Sequence, residues 1–265
     1  MKCPAENPLR IVIKVGTGVL TREDGIRLDQ PVFAGMARAI ARLKAEGHTV
    51  IIVSSGAVGA GLMAMGHDER PTEIAELQAF AAIGQAVLMH SYQQHLGTYD
   101  LLPAQLLLTY GDLDSEARQA RILRTMVSLL TKDNVVPVIN ENDSVAVEEL
   151  RFGDNDALSA RVASLIDANR LVILTSVDGL LDSNSGGTPS LVAEVDDWKH
   201  AESLVESHHG KHSVGGMASK LLAVRTAVEA GIETFITNGK QPERIPAILD
   251  GSDQNRTRFR PHTIA

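Results

Sequence analysis

The sequence predicts an α/β fold with a mainly parallel central sheet and helices on both faces. Three observations carry that expectation. Short β-branched runs alternate with longer stretches of helical periodicity. Most of the short runs are too apolar to have a wet face, as strands sandwiched between helical layers must be. Glycines also punctuate the helical stretches, Gly47 after the first long one and Gly231 after the last.

Taken in order, strands are expected at Arg10–Val15, Thr49–Val53, Leu101–Leu107, Val135–Ile139, Leu171–Leu174 and Glu233–Thr237. Helices are expected at Pro31–Glu46, Thr72–Leu96, Ser115–Leu130, Asp156–Ile166 and Met217–Ala230. Val145–Phe152 reads as a hairpin, and Asp182–Pro189, rich in Ser, Asn and Gly, as a loop. No repeat, low-complexity tract or linker divides the 265 residues, so residues 1–265 are expected to form a single domain.

Composition excludes several classes of function. The apolar share is 44%, and no window approaches the roughly 18 to 20 consecutive apolar residues of a membrane span. Met1 to Pro8 is polar and lacks a signal-peptide core. Cys3 is the only cysteine, so no intrachain disulfide can form, which fits a reducing cytoplasm. A net charge of −8 with dispersed basic residues argues against a nucleic-acid surface. Arg256, Arg258 and Arg260 read as a solvated tail.

Ligands of open α/β sheets collect at the carboxyl ends of the strands. After the first strand comes Lys14-Val-Gly-Thr-Gly18, where Gly16 lets the backbone approach an anion and Lys14 adds a point charge. The spacing is not that of a Walker loop. After the second comes Ser54-Ser55-Gly56-Ala57-Val58-Gly59-Ala60-Gly61, running into a helix whose free N–H groups suit a carboxylate or phosphate. Its glycines fall as Gly-x-x-Gly-x-Gly and the region that follows is helical, which argues against a dinucleotide fingerprint.

Two polar runs follow, Val-Ile-Asn-Glu-Asn-Asp at 138–143 and Gly-Asp-Asn-Asp at 153–156. Asn and Asp favour turns and helix caps, yet these runs carry more hydrogen-bonding chemistry than a turn requires. Val214-Gly215-Gly216-Met217-Ala218-Ser219-Lys220 then opens another helix with a second lysine. Gly-Gly before a helix is common, but two anion sites with separate lysines suit a polyphosphate and a transferring phosphoryl group.

These runs together resemble the amino-acid kinase family over nearly the whole chain. The resemblance lies in Ile-Lys-Val-Gly-Thr at 13–17, Val-Ser-Ser-Gly-Ala at 53–57, Pro-Val-Ile-Asn-Glu-Asn-Asp at 137–143, Gly-Asp-Asn-Asp at 153–156 and Gly-Gly-Met-Ala-Ser-Lys at 215–220. The two Asn/Asp runs resemble those members that phosphorylate the side-chain carboxylate of L-glutamate, the opening step of proline synthesis. The resemblance implies a three-layer αβα sandwich, ATP as phosphoryl donor, Mg²⁺, a homo-oligomer (dimer or tetramer) and feedback inhibition by proline. It implies that Lys14 and Lys220 stabilise the transferring phosphoryl group, that Asp156 holds the lysines, and that Ser55, Asp143 and Asn155 take the α-amino and α-carboxylate groups, with Asp154 helping from the same loop. The nucleotide falls to Lys14, Gly16, Thr175, Ser176 and the run Val214, Gly215, Gly216, Met217, Ala218, Ser219 and Lys220.

Three departures stand out. Where the family usually has an acid and an aromatic at the nucleotide edge, this chain has Ser176 and Leu181. Val214 replaces a threonine, removing a hydroxyl. The chain also stops where many members continue into a C-terminal PUA domain, so a catalytic domain alone is expected.

The remaining conspicuous residues have ordinary readings. His208, His209 and His212 read as a solvated loop without an acidic or cysteine partner. His90 and His95 read as helix-face residues, Trp198 as a packing residue, and Met63, Met65 and Met89 as core. Alternatives to the glutamate reading are a family kinase acting on aspartate, N-acetylglutamate or a nucleoside monophosphate, a non-catalytic amino-acid and nucleotide-binding module, and an oligomeric scaffold built on the long apolar helix.

Overall fold

The computed structural model describes residues 7–146, 155–182, 189–196, 198–206 and 214–261. An eight-stranded sheet organises them. In chain order its strands are β1 (Arg10–Val15), β2 (Thr49–Val53), β3 (Leu102–Leu108), β4 (Val135–Glu141), β5 (Arg170–Thr175), β8 (Glu194–Val195), β9 (Glu233–Asn238) and β10 (Thr257–Phe259). Spatially they run β3-β4-β2-β1-β5-β9-β10-β8, and the first six are mutually parallel. A separate two-stranded ribbon pairs β6 (Leu181–Asp182) with β7 (Ser190–Leu191).

The helices are α1 (Thr17–Leu20), α2 (Gln30–Ala45), α3 (Ala57–Met65), α4 (Ile74–Gly97), α5 (Tyr110–Asp114), α6 (Glu116–Leu130), α7 (Asp156–Leu165), α8 (Trp198–Glu206), α9 (Val214–Glu229) and α10 (Ile245–Leu249). All five expected helices and all six expected strands are present; Arg10–Val15 and Thr49–Val53 match at both ends, and no other end moves by more than three residues. Alternation along the central strands makes two cores. Ile11, Ile13, Val50 and Ile52 pack with α2 and α4, while Val12, Ile51, Val53, Leu171 and Ile173 pack with α7, α8 and α9. The result is the expected three-layer αβα arrangement.

Three expectations are corrected. The third strand is not dry on both faces: β3 is the edge of the sheet, and Leu102 and Leu107 are exposed. The C-terminal arginines are not a solvated tail. β10 pairs with both β9 and β8, Arg256 is buried with its guanidinium over the Phe235 ring, Arg258 pairs with Glu233, and Arg260 with Glu194. Met65 is 56% exposed rather than core, whereas Met63 and Met89 do pack against the core. Trp198 packs as expected, beside Phe259. Most of the expected hairpin at 145–152 and of the loop at 182–189, together with His208, His209 and His212, fall outside the described residues.

One packing detail positions the site. Helix α4 lies so close to α3 that a Cβ on Gly84 would fall 1.8 Å from the Ala57 carbonyl oxygen, and one on Gly61 would fall 1.9 Å from that of Phe80. Only glycine permits this approach. It brings the next residue, Gln85, to the carboxyl edge of the sheet.

Candidate active site

Because β1, β2, β4 and β5 are parallel, their carboxyl ends share one edge of the sheet, and the runs singled out from the sequence converge there. Lys14 lies on the same face of β1 as Val12, towards the layer that holds α7 and α9. It meets the first residue of α7. Lys14 Nζ lies 2.5 Å from Asp156 Oδ1, with both side chains 1% exposed. The other oxygen, Asp156 Oδ2, lies 2.9 Å from Nζ of Lys220, in the second turn of α9. Lys220 also donates to the Gly216 carbonyl at 3.2 Å.

A single carboxylate thus fixes two ammonium groups from opposite ends of the chain. Its place in the first turn of α7 is favoured by the positive end of the helix dipole. The three groups together carry a net charge of +1, so they attract an anion while remaining mutually compensated. Gly16 lies two residues beyond Lys14, and a Cβ there would sit 3.4 Å from Lys14 Nζ. Bare backbone borders the ammonium.

The second polar cluster is a chain of amides with only one consistent orientation. Asn140 Oδ1 accepts from the Glu141 backbone N–H at 3.0 Å and from Asn155 Nδ2 at 2.7 Å. Asn140 Nδ2 must then donate, and it does so to Gln85 Oε1 at 2.9 Å. Asn155 Nδ2 also donates to the Ser54 carbonyl, and the Ser54 hydroxyl pairs with the buried Tyr92 hydroxyl at 2.9 Å. This arrangement leaves Gln85 Nε2, Asn155 Oδ1 and Ser55 Oγ buried with no hydrogen-bond partner among the described residues. Native proteins seldom leave such groups without a purpose, since each orphan costs about 1–3 kcal/mol.

Beside this chain lies a cavity of about 330 Å³ lined by Ala57, Gln85, Glu141, Asn142, Asp143 and Ser144, among others. Two of these are acids. Asp143 is pushed up to about 6 by burial first and by the Glu141 charge second, against a smaller opposing pull from Arg70. A cation entering here would relieve both effects. Next to the cavity Gly56, at φ 92°, takes the left-handed conformation that turns the chain into α3, whose first N–H groups face the same edge.

The structure therefore gathers Lys14, Asp156 and Lys220 into one cluster. It ties Asn155 to Ser54, next to Ser55, and sets Asp143 in the cavity. Thr175 ends β5 and is buried, while Ser176 beyond it is exposed. Val214 and Gly215 open α9, Gly216 and Ala218 are exposed, Met217 packs against the core, and Ser219 Oγ donates to the Gly216 carbonyl. Gly153 and Asp154 lie outside the described residues.

Sequence reasoning overlooked Gln85, Glu141 and the joining role of Asn140. Asn140 and Glu141 belong to β4 itself, 1% and 2% exposed, rather than to a turn after it. A signal for Gln85 existed. It interrupts the buried stripe Leu77, Ala81, Leu88 and Tyr92 of α4, where a polar residue needs a reason.

Comparison with known proteins bears on this geometry. The amino acid kinase family matches residues 9–238. The chain is 44% identical over 248 residues to glutamate 5-kinase 1 of Bacillus licheniformis, covering 92% of this chain and 67% of that protein. It is 43% identical over 248 residues to glutamate 5-kinase of Clostridium acetobutylicum, covering 92% of each. Among solved structures, carbamate kinase from Giardia lamblia bound to AMP-PNP superposes with a TM-score of 0.66 at 16% identity, covering 96% of this chain and 98% of that one. UMP kinase from Ureaplasma parvum gives 0.63 at 14% identity, covering 96% and 99%. At these identities the two structures speak to the fold.

Proposed function

Since this chain belongs to the amino acid kinase family, we propose that it transfers the γ-phosphoryl group of ATP to the side-chain carboxylate of L-glutamate. The observation that carries this reading is the bridging of Lys14 and Lys220 by Asp156 at the edge where the acid-lined cavity opens. Relatives that bear the name glutamate 5-kinase at 43–44% identity favour glutamate over aspartate, N-acetylglutamate or a nucleoside monophosphate.

The chemistry needs little from the protein except charge and alignment. A glutamate side chain has a pKa of about 4.3 and is ionised at neutral pH, so no general base is required. One carboxylate oxygen attacks the γ-phosphorus, the bond to the β,γ-bridging oxygen breaks, and ADP departs with the electron pair. The barrier is repulsion between an anionic nucleophile and a polyanionic donor. Lys14 and Lys220 offset that repulsion, and Asp156 holds both ammonium groups in place so that they need not reorganise during the reaction. Asp143 takes the substrate ammonium, and Ser55 and Asn155 assist with the α groups. Gly16, Thr175, Ser176 and the 214–220 run line the nucleotide.

Mg²⁺ belongs to the substrate in this reading. Among the described residues no group of three His, Cys, Asp or Glu could hold a metal ion, and Asp156 is engaged by two lysines. Mg²⁺ is commonly held by substrate phosphates with one or two carboxylates, so here it arrives on ATP.

The remaining parts of the proposal are proline as a feedback inhibitor, a cytoplasmic location, and a homo-oligomer in which exposed Leu102 and Leu107 of β3 and Leu123 and Val127 of α6 become covered. No helix among the described residues is long and apolar enough to cross a membrane. The test is ADP formation by purified protein with L-glutamate, in parallel with the three competitor substrates. Turnover confined to one of the competitors would overturn the assignment.

A further inference from the structure

We infer that Gln85, on α4, is a specificity-determining residue that donates its side-chain amide N–H to the α-carboxylate of the amino-acid substrate. The inference rests on the glutamate reading above and deepens it.

The amide orientation is forced rather than chosen. Backbone groups fix the orientation of both asparagines: the Glu141 N–H donates to Asn140 Oδ1, and the Ser54 carbonyl accepts from Asn155 Nδ2. Gln85 must offer its oxygen to Asn140, and its nitrogen must point the other way. The residue is 8% exposed, it lines the cavity, and its Nε2 has no hydrogen-bond partner among the described residues. A buried donor left in this state awaits an acceptor from a ligand.

The charge pattern of the cavity says which acceptor. Glu141 and Asp143 line it, so the substrate ammonium belongs beside them. The α-carboxylate hangs from the same carbon and therefore enters the cavity too, where two acids would repel it unless a donor stands opposite. Gln85 Nε2 is that donor, and as a neutral group it adds no charge that would compete with the ammonium for the acids. The side-chain carboxylate is then free to reach towards Lys14 and Lys220. Close contact of α4 with α3 through Gly84 and Gly61 holds the amide at this depth.

The test compares wild type with Gln85→Glu and Gln85→Ala, using the full chain with L-glutamate and with isoglutamine, whose α-carboxylate is an amide. Gln85→Glu keeps the oxygen that Asn140 requires and replaces the donor by a negative charge, while Gln85→Ala removes the donor without adding charge. The expected result is a rise of about 10- to 100-fold in glutamate KM for both variants, with ATP KM within about twofold, as for loss of one charge-assisted hydrogen bond. The wild-type preference for glutamate over isoglutamine should shrink by about tenfold or more in Gln85→Ala. A purely structural role would weaken both amino acids equally and would spare no parameter. An unchanged glutamate KM in either folded variant, or an unchanged preference ratio, overturns the inference while leaving the glutamate reading intact. Wild-type protein that does not turn over glutamate overturns both.

Discussion

Asp156 and Lys14 form an ion pair of 2.5 Å in which both side chains are 99% withdrawn from solvent. A buried charge is tolerable only when paired, and here the second carboxylate oxygen is paired again, with Lys220. Removing the carboxylate should therefore affect stability and chemistry together. Asp156→Asn is expected to lose about 3–5 kcal/mol of stability, because two ammonium groups are left facing a neutral amide. It should also lower kcat by about 10² or more. Urea unfolding monitored beside the kinase assay checks both, and a stable but inactive variant would restrict Asp156 to the reaction.

The two lysines should separate. Lys14→Ala and Lys220→Ala are each expected to reduce kcat by about 10² or more with a smaller change in glutamate KM, as for charge that acts mainly on the transition state. Only Lys14→Ala should also destabilise the fold substantially, since Lys14 is 1% exposed and Lys220 12%. Normal kcat in Lys220→Ala would remove that residue from the mechanism.

Asp143 gives a pH dependence whose sign can be worked out. Its folded value is raised to about 6 from 3.8, so ionisation works against folding. The penalty is absent below about pH 4, grows as pH rises towards 6, and is complete above it. Asp143→Asn should therefore stabilise the free protein above pH 6, by about 1–3 kcal/mol. It should also raise glutamate KM strongly while sparing ATP KM, because the ammonium loses its partner. In wild type, kcat/KM for glutamate should rise between pH 5 and 7 with a midpoint near 6. A wild-type profile flat across that range, or a variant that retains the rise, would separate Asp143 from substrate binding.

Gly84→Ala tests the helix contact that sets the cavity. The new methyl would fall 1.8 Å from the Ala57 carbonyl oxygen and 2.3 Å from the Gly61 nitrogen, both backbone atoms that cannot swing aside. A loss of about 3 kcal/mol or more is expected, beyond the usual cost of overpacking because α3 and α4 must move apart. A melting temperature equal to wild type would show that the two helices tolerate separation.

Proline should inhibit by competition with glutamate. Both molecules present an α-carboxylate and a positively charged amine, so the groups that receive one can receive part of the other. The segment between Thr109 and Glu116 adjoins the end of β3 and is held by a reciprocal cap: Asp112 accepts from the Thr109 N–H at 2.8 Å, and the Asp112 N–H donates to Thr109 Oγ1 at 3.3 Å. Glutamate saturation curves at several fixed proline concentrations should shift to higher half-saturation and converge at high glutamate. A fall in maximal rate alone would place proline elsewhere.

Local pattern alone placed much of this molecule. The β-branched runs from Arg10 to Thr237 announced the six parallel strands, helical periodicity with terminal glycines announced the long helices, and the polar runs after successive strands pointed to one edge of one sheet. Those features repeat over a few residues, and parallel pairing then leaves few ways to arrange them. The sequence did not decide which strand would lie at the edge, so β3 was expected to be dry. It did not show that Arg256 is buried, because that depends on β10 closing against β9 and β8. Nor did it reveal Gln85, whose meaning arises only when Gly84 and Gly61 let α4 settle on α3 and when Asn140 fixes which end of the amide faces the cavity. Such contacts join residues far apart in the chain, and they are selected by packing and by the cost of leaving a buried polar group unpaired.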